Sequence, residues 1–272
     1  MRWRDLVELV RAPAALSVPG DIIAGAAAAR RLGPKTAGLA GASVLLYWAG
    51  MAANDWADRE IDAKERPERP IPSGRISPGA ALGIAAGLTT AGVVAAGLAG
   101  GRRALSVAVP LAGAIWAYDL GPKTPALMAT CRALNVLLGA NERPGKAVWP
   151  AATMFAHTYT VTALSQAEVD GATPELPTRT LAGTAVVAAA AGGTPGAGAL
   201  AGWYAIRYGR PQLDAVRNPD AAHIQRAVGA GIVNMPALQG ALTARAGAPR
   251  LGLAIAAVSE LARRLAKKVS PT

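Results

Sequence analysis

The chain has a single cysteine, Cys131, and it lies in an apolar stretch. That excludes a disulfide within the chain and a cysteine metal cluster. Aromatic residues are scarce too, with one Phe in 272 residues. Net charge is +11, but a basic chain without an aromatic stacking platform does not read as nucleic-acid binding. Basic loops facing anionic lipid account for the charge instead. Charge is itself sparse: 17% of residues carry one, against about 25% in an ordinary soluble domain. No signal peptide is evident, because the opening MRWRDLVELVR is basic and amphipathic and the apolar run behind it is too long for a signal core.

What is present in quantity is uncharged, apolar sequence. Residues 36–53, 76–101, 180–206 and 227–244 carry no charge, and 147–167 carries none apart from His157. Roughly 18 apolar residues suffice to cross a bilayer as a helix, and in lipid each segment must satisfy its own backbone hydrogen bonds. The expectation is an all-α, polytopic transmembrane bundle, one domain over 1–272. The runs are rich in Ala and Gly, which suits close packing through small residues.

Expected helices cover about 12–30, 36–56, 77–100, 103–119, 124–141, 147–168, 178–208 and 219–243, with boundaries good to a few residues, and a last apolar segment covers about 249–262. The 178–208 stretch contains Gly192-Gly193-Thr194-Pro195-Gly196, which reads as a turn. Dividing there leaves only about 13 residues on each side, short for a crossing, so the expected count is about nine, or ten. Loop Lys and Arg residues favour an N-terminus inside, by a small margin.

The stretch 53–77, ANDWADREIDAKERPERPIPSGRIS, is the most informative. Asp55, Asp58 and Asp62 are spaced i, i+3, i+7, which places them on one face of a helix, with Asn54 beside them. Three carboxylates on one face repel one another unless a cation binds. Hard oxygen ligands without His or Cys suit Mg2+, which shares its shell with phosphate oxygens. A basic loop follows with Arg59, Lys64, Arg66, Arg69 and Arg75, stiffened by Pro67, Pro70 and Pro72. Carboxylates for a metal beside guanidinium groups point to a metal-chelated diphosphate. The plainer alternative is a charged cytosolic loop after an acidic helix end.

Asn54-Asp55-x-x-Asp58-x-x-x-Asp62, followed by Arg66-Pro67-x-Arg69-Pro70-Ile71-Pro72-Ser73-Gly74, resembles the first aspartate-rich motif of the UbiA superfamily of intramembrane prenyltransferases. Tyr118 to Lys123 (YDLGPK) resembles the family's tyrosine-to-lysine segment after the fourth helix, and Arg132, Asn135 and Gly139 resemble the polar strip of its fifth. The resemblance implies nine transmembrane helices around a central cavity, with Mg2+ used to ionise a prenyl diphosphate whose prenyl group passes to an acceptor. It casts Asp55, Asp58 and Arg132 as catalytic, and Asn54, Asp55, Asp58 and Asp62 as metal ligands. Arg66, Arg69, Tyr118, Lys123, Arg132 and Asn135 become diphosphate ligands. The family's second aspartate-rich motif is altered here to Ser165-Gln166-Ala167-Glu168-Val169-Asp170-Gly171. Glu168 and Asp170 are its remaining metal-ligand candidates.

Ionisable groups inside apolar runs are functional candidates because lipid exposure is costly. Arg132 has an internal salt bridge, with Asp119 for example, as its alternative role. Asp21 is an acceptor-site group or a partner for a cation. His157 reads as a hydrogen-bonded bundle residue rather than a ligand. Tyr118, Tyr159, Trp48 and Trp116 either line the cavity and stabilise an allylic cation or anchor the bundle at the interface. The expected partners are a prenyl diphosphate, an unidentified acceptor and membrane lipid, with the site toward the cytoplasm of a multi-pass cell-membrane protein. The same ionising site without an acceptor would make a terpene cyclase, and without chemistry a prenyl-lipid binder or transporter.

Overall fold

The computed structural model describes residues 2–269 and contains only helices, turns and loops among them. A short surface helix α1 (Trp3–Leu9) leads through a 3-10 turn (Ala12–Ser17) into α2 (Val18–Ala28) and then α3 (Pro34–Ala57). A short α4 (Arg59–Glu65) continues from α3, and the basic loop follows before α5 (Pro78–Leu120). Then come α6 (Pro125–Gly139), α7 (Val148–Ser165), α8 (Glu175–Ala191), α9 (Pro195–Arg217), α10 (Ala221–Arg245) and α11 (Pro249–Val269).

Local sequence sets many of these starts. Pro78, Pro125 and Pro195 open α5, α6 and α9, where proline's missing N–H costs nothing. The residues before them, Ser77, Thr124 and Thr194, each accept a hydrogen bond from a first-turn N–H at 3.3 Å. Asp220 caps α10 in the same way, accepting from His223 N at 2.9 Å.

The long α5 is two antiparallel helices. Gly101 has φ 65° and ψ −156°, a backbone that favours glycine. Trp116 Nε1 donates to Thr89 Oγ1 at 3.0 Å across 27 residues, whereas a straight helix would hold them about 40 Å apart at 1.5 Å per residue. The chain therefore folds back at Gly101, as the expected separate helices 77–100 and 103–119 require. The 178–208 segment likewise divides, with Gly193 at φ 121° in the turn. It is two helices because α9 runs on to Arg217, well beyond the end of the apolar run.

The described residues thus form eleven α-helical elements, twelve helices once α5 is divided at Gly101, not about nine. The excess is α1, α4 and α11. The first two are short amphipathic pieces at the ends of apolar runs, and α11 packs along α10. Conversely, the expected helix 12–30 begins as a 3-10 turn and ends at Ala28, before Arg30 at φ 55°.

Helices α3 and α5 are long and apolar enough to cross a membrane. In α5 only 22% of the apolar window is buried, and Val94, Leu98 and Val109 lie on the outside. An apolar helix that faces outward is a membrane feature, not a soluble core. Small residues let the backbones meet: a Cβ on Gly25 would stand 1.9 Å from Val136 O, and one on Gly139 2.1 Å from Ile22 O, so α2 and α6 touch main chain to main chain. Gly240 and Gly252 do the same between α10 and α11.

Candidate active site

The aspartate motif straddles the joint between α3 and α4. Helical hydrogen bonds continue through it, with Asp58 N donating to Asn54 O at 2.9 Å and Asp62 N to Asp58 O at 2.8 Å. Asp55 and Asp62, two turns apart, therefore share a face, and both are buried at 3% exposure. Arg69 Nη1 donates to Asp62 Oδ2 at 2.6 Å and approaches Asp55 Oδ1 at 3.4 Å. Arg11 Nη2 donates to the same Asp55 oxygen at 2.5 Å. Asp58 is held by a third cation, Lys123 Nζ, which arrives from the segment between α5 and α6.

The basic loop is fixed on both sides. Ser73 Oγ donates to Arg69 O at 2.6 Å, and Ile76 N donates to Pro70 O at 2.9 Å. Arg75 pairs bidentately with Glu8 of α1 at 2.6 and 2.8 Å and reaches Asp5 at 3.2 Å. Its neighbours hold the Arg75 guanidinium proton more tightly than usual, the Glu8 hydrogen bonds above all. The Asp5 carboxyl is held below its ordinary value, chiefly by the Arg2 backbone N–H that it accepts from. Between them these contacts seat α1 on the loop and bring Arg11, at the end of α1, over the aspartates. Arg11 itself adopts φ 45°, an uncommon conformation for a residue with a side chain.

Beneath this mouth lies a cavity of about 190 Å³ lined by Arg11, Tyr47, Gly50, Met51, Asn54, Ile115, Tyr118, Asp119, Met128 and Cys131. Its walls are α3, α5 and α6. Asp119 is 7% exposed, and its Oδ2 is buried with no hydrogen-bond partner.

The predicted site residues fall into three groups. Asn54, Asp55, Asp58, Asp62, Arg69, Tyr118 and Lys123 gather at the cavity or its mouth. Arg132 and Asn135 join a separate buried network instead. Arg132 donates to Asp21 Oδ2 at 2.8 Å and to Ser17 Oγ at 2.9 Å, and Asn135 Nδ2 donates to Asp21 Oδ2 at 3.0 Å. Gln239 of α10 donates to Asp21 Oδ1 at 2.6 Å, and Ser43 of α3 bonds Asn135 Oδ1. The network abuts the cavity through Tyr47, whose ring lies 5.0 Å from the Arg132 guanidinium. Asp21 is thus the partner of a cation, and that cation's partner is Asp21 rather than Asp119.

Glu168 and Asp170 form the third group. Both follow the end of α7, and neither carboxylate hydrogen-bonds to the first motif. Burial pushes the Glu168 carboxyl up, and the Arg66 charge opposes it. Arg66 is exposed. Among the aromatic candidates, Tyr118 lines the cavity, Trp116 bonds Thr89, and Tyr159 faces outward at 45% exposure. His157 is a bundle residue, its Nδ1 lying 2.8 Å from the Tyr204 hydroxyl.

Sequence reasoning missed Arg11 and Asp119 as site members. Asp119 carried a signal, a carboxylate at the end of an apolar run beside Tyr118. Arg11 carried none beyond its charge, since only the docking of α1 delivers it.

The residues can be weighed against a magnesium ion. Among the described residues no three His, Cys, Asp or Glu groups stand close enough to hold an ion as they are, because Arg11, Arg69 and Lys123 bind the carboxylates. The donor atoms are nonetheless hard oxygens, and one buried carboxylate oxygen, Asp119 Oδ2, has no partner. The set fits a magnesium ion once a cationic side chain gives way.

Residues 18–172, more than half of the chain, match the model of the UbiA prenyltransferase family. A digeranylgeranylglyceryl phosphate synthase of Methanopyrus kandleri is 36% identical over 160 residues, covering 54% of this chain and 56% of that protein. The protein of the same name from Methanothrix thermoacetophila is 58% identical over 57 residues, covering 21% of each chain. The chain therefore spans about half or less of the length of these relatives. Among solved structures, one concerning digeranylgeranylglyceryl phosphate synthase in membranes superposes with a TM-score of 0.65 at 18% identity, over 89% of this chain and 98% of that one. A UbiA homologue from Aeropyrum pernix K1 superposes with a TM-score of 0.62 at 16% identity, over 89% and 97%. At these identities the structures speak for the fold.

Proposed function

The chain belongs to the UbiA prenyltransferase family, and on that premise we propose that it is a magnesium-dependent intramembrane prenyltransferase acting on a prenyl diphosphate and a small or lipid-like acceptor. The observation that carries this reading is the ion pair between Asp58 and Lys123. It joins the aspartate motif to the YDLGPK segment at the mouth of one cavity, which supports a site where carboxylates for a metal and a cation for a diphosphate work together.

A bound magnesium ion would supply Lewis-acid neutralisation of the leaving diphosphate, held by Asn54, Asp55, Asp58 and Asp62. Lys123, freed from Asp58, and Arg69, freed from Asp62, then turn to diphosphate oxygens, with Arg66 at the exposed rim. These preorganised cations favour the charge that develops as the allylic C–O bond breaks and its electron pair leaves with the diphosphate. Met51, Ile115 and Met128 keep water from the allylic cation, and the rings of Tyr47 and Tyr118 line the same cavity and offer it π density. The acceptor attacks the cation and loses a proton to solvent. Arg132 and Asn135 enter as positioning residues that fix Tyr47 and the junction of α2, α3, α6 and α10. The site faces the cytoplasm if the N-terminus is inside.

The relatives' name makes a prenylated glyceryl phosphate one acceptor to try. The test incubates purified, detergent-solubilised protein with geranyl, farnesyl or geranylgeranyl diphosphate, with Mg2+ or EDTA, and with that acceptor or a membrane extract. A prenylated acceptor formed only with Mg2+ supports transfer. A cyclised hydrocarbon formed without acceptor would replace transfer by cyclisation, and no consumption of any donor would leave a binding protein.

A further inference from the structure

Charges at the site do not balance. Asp55 pairs with Arg11, Asp62 with Arg69, and Asp58 with Lys123. Asp119 lines the same cavity, is 7% exposed, and has an oxygen with no partner. Arg11 lines the same cavity but is engaged with Asp55, and Lys123, one turn of chain beyond Asp119, is engaged with Asp58. A buried carboxylate in that position is costly unless a cation completes it.

We propose that Asp119 is a ligand of the divalent cation, contributing a carboxylate oxygen from the end of α5 to an ion held on its other side by the aspartate motif of α3. The inference rests on the reading of the site given above and names a ligand that the motif does not contain. The geometry favours it over the residues after α7. No hydrogen bond or ion pair joins the Glu168 carboxylate to the aspartate motif among the described residues, and Asp170 is exposed. Asn54 lines the cavity with Asp119, and both offer the hard oxygen donors that magnesium takes. Lys123, like Arg69 on Asp62, is a side chain that must move. It leaves Asp58 when the ion arrives and becomes available to the diphosphate, so that metal entry and diphosphate binding are coupled.

The experiment is Mn2+ uptake by the full-length, detergent-solubilised protein, read as loss of the free-ion EPR signal, with and without inorganic diphosphate. Asp119→Asn keeps the volume and removes the charge, and should raise the Mn2+ Kd about tenfold or more. Asp119→Glu should raise it less, and the exposed Glu60→Gln should not change it. Because Asp119 Oδ2 has no hydrogen-bond partner to lose, Asp119→Asn should melt in EDTA at or above the wild-type temperature, which separates lost metal binding from misfolding. An unchanged Kd in Asp119→Asn, a loss in Glu168→Gln instead, absence of Mn2+ uptake by wild type, or a lower melting temperature of Asp119→Asn in EDTA would each overturn the proposal. Diphosphate release from prenyl donors is followed in parallel. Release without an Asp119 effect on Mn2+ sinks this inference alone, and Asp119-dependent Mn2+ uptake without release sinks the transferase reading alone.

Discussion

Asp21 and Arg132 are both buried, the carboxylate side chain at 0% exposure and the guanidinium at 10%. Removing one member of such a pair strands the other, at a cost of about 3–5 kcal/mol. Asp21→Asn should therefore lower the unfolding free energy in detergent by that order, and Arg132→Met by a similar amount, with the double variant less affected than the sum. If Arg132→Met instead folds as wild type and loses only diphosphate binding, Arg132 is a diphosphate ligand after all. At this scale the sequence was readable where charges interrupt apolar runs. Asp55, Asp58 and Asp62 stand out by their helical spacing, and Arg69 and Lys123 by their place in the two segments that follow the apolar runs. The pairing of Arg132 with Asp21 was not readable, because 111 residues separate them and only the crossing of α2 over α6 brings them together. Arg11 stayed hidden for the same reason, 44 residues from Asp55.

Between elements, main-chain contact decides what is tolerated. Gly139→Ala would drive a Cβ to 2.1 Å from Ile22 O, and backbone cannot yield as a side chain can. It should lower the melting temperature, part α2 from α6 and disturb the Asp21 network. Gly113→Ala, in α5 with open space around it, should be neutral or stabilise by up to about 1 kcal/mol. A difference in melting temperature between the two variants measures the close contact, and equal effects would contradict it. Turns were the best-read elements. The break between 77–100 and 103–119 was legible because Arg102 and Arg103 end the uncharged run, and the Gly-Gly-Thr-Pro-Gly run because glycine and proline interrupt helices for local reasons. Helix ends were less legible: α9 continues past its apolar run through Arg207, Arg210 and Asp214, where polarity changes but helical geometry does not.

Across the whole molecule, polar clamps tie both ends of the bundle. At the end away from the aspartates, Glu142 joins Arg31 at 3.1 Å and Lys35 at 3.2 Å. The Lys35 hydrogen bond, more than the neighbouring charges, holds its carboxyl below the ordinary value of 4.5. A lowered folded value means that the clamp contributes fully above the ordinary value and is lost as pH falls through the folded one. The melting temperature in detergent should therefore drop on acidification below about pH 4.5, and Glu142→Gln should flatten that part of the profile. The membrane class was legible at this scale from uncharged run lengths alone, whereas the docking of α11 along α10 was not, since its sequence reads as a short apolar segment with a basic tail. The most direct measurement of the account is diphosphate release from geranylgeranyl diphosphate by purified wild type, Asp58→Asn and Lys123→Met, with Mg2+ or EDTA. The account predicts magnesium-dependent release by wild type and a fall of at least about a hundredfold in both variants. Release that is insensitive to EDTA, or that survives in both variants, would contradict the assignment of the chemistry to the cavity between α3, α5 and α6.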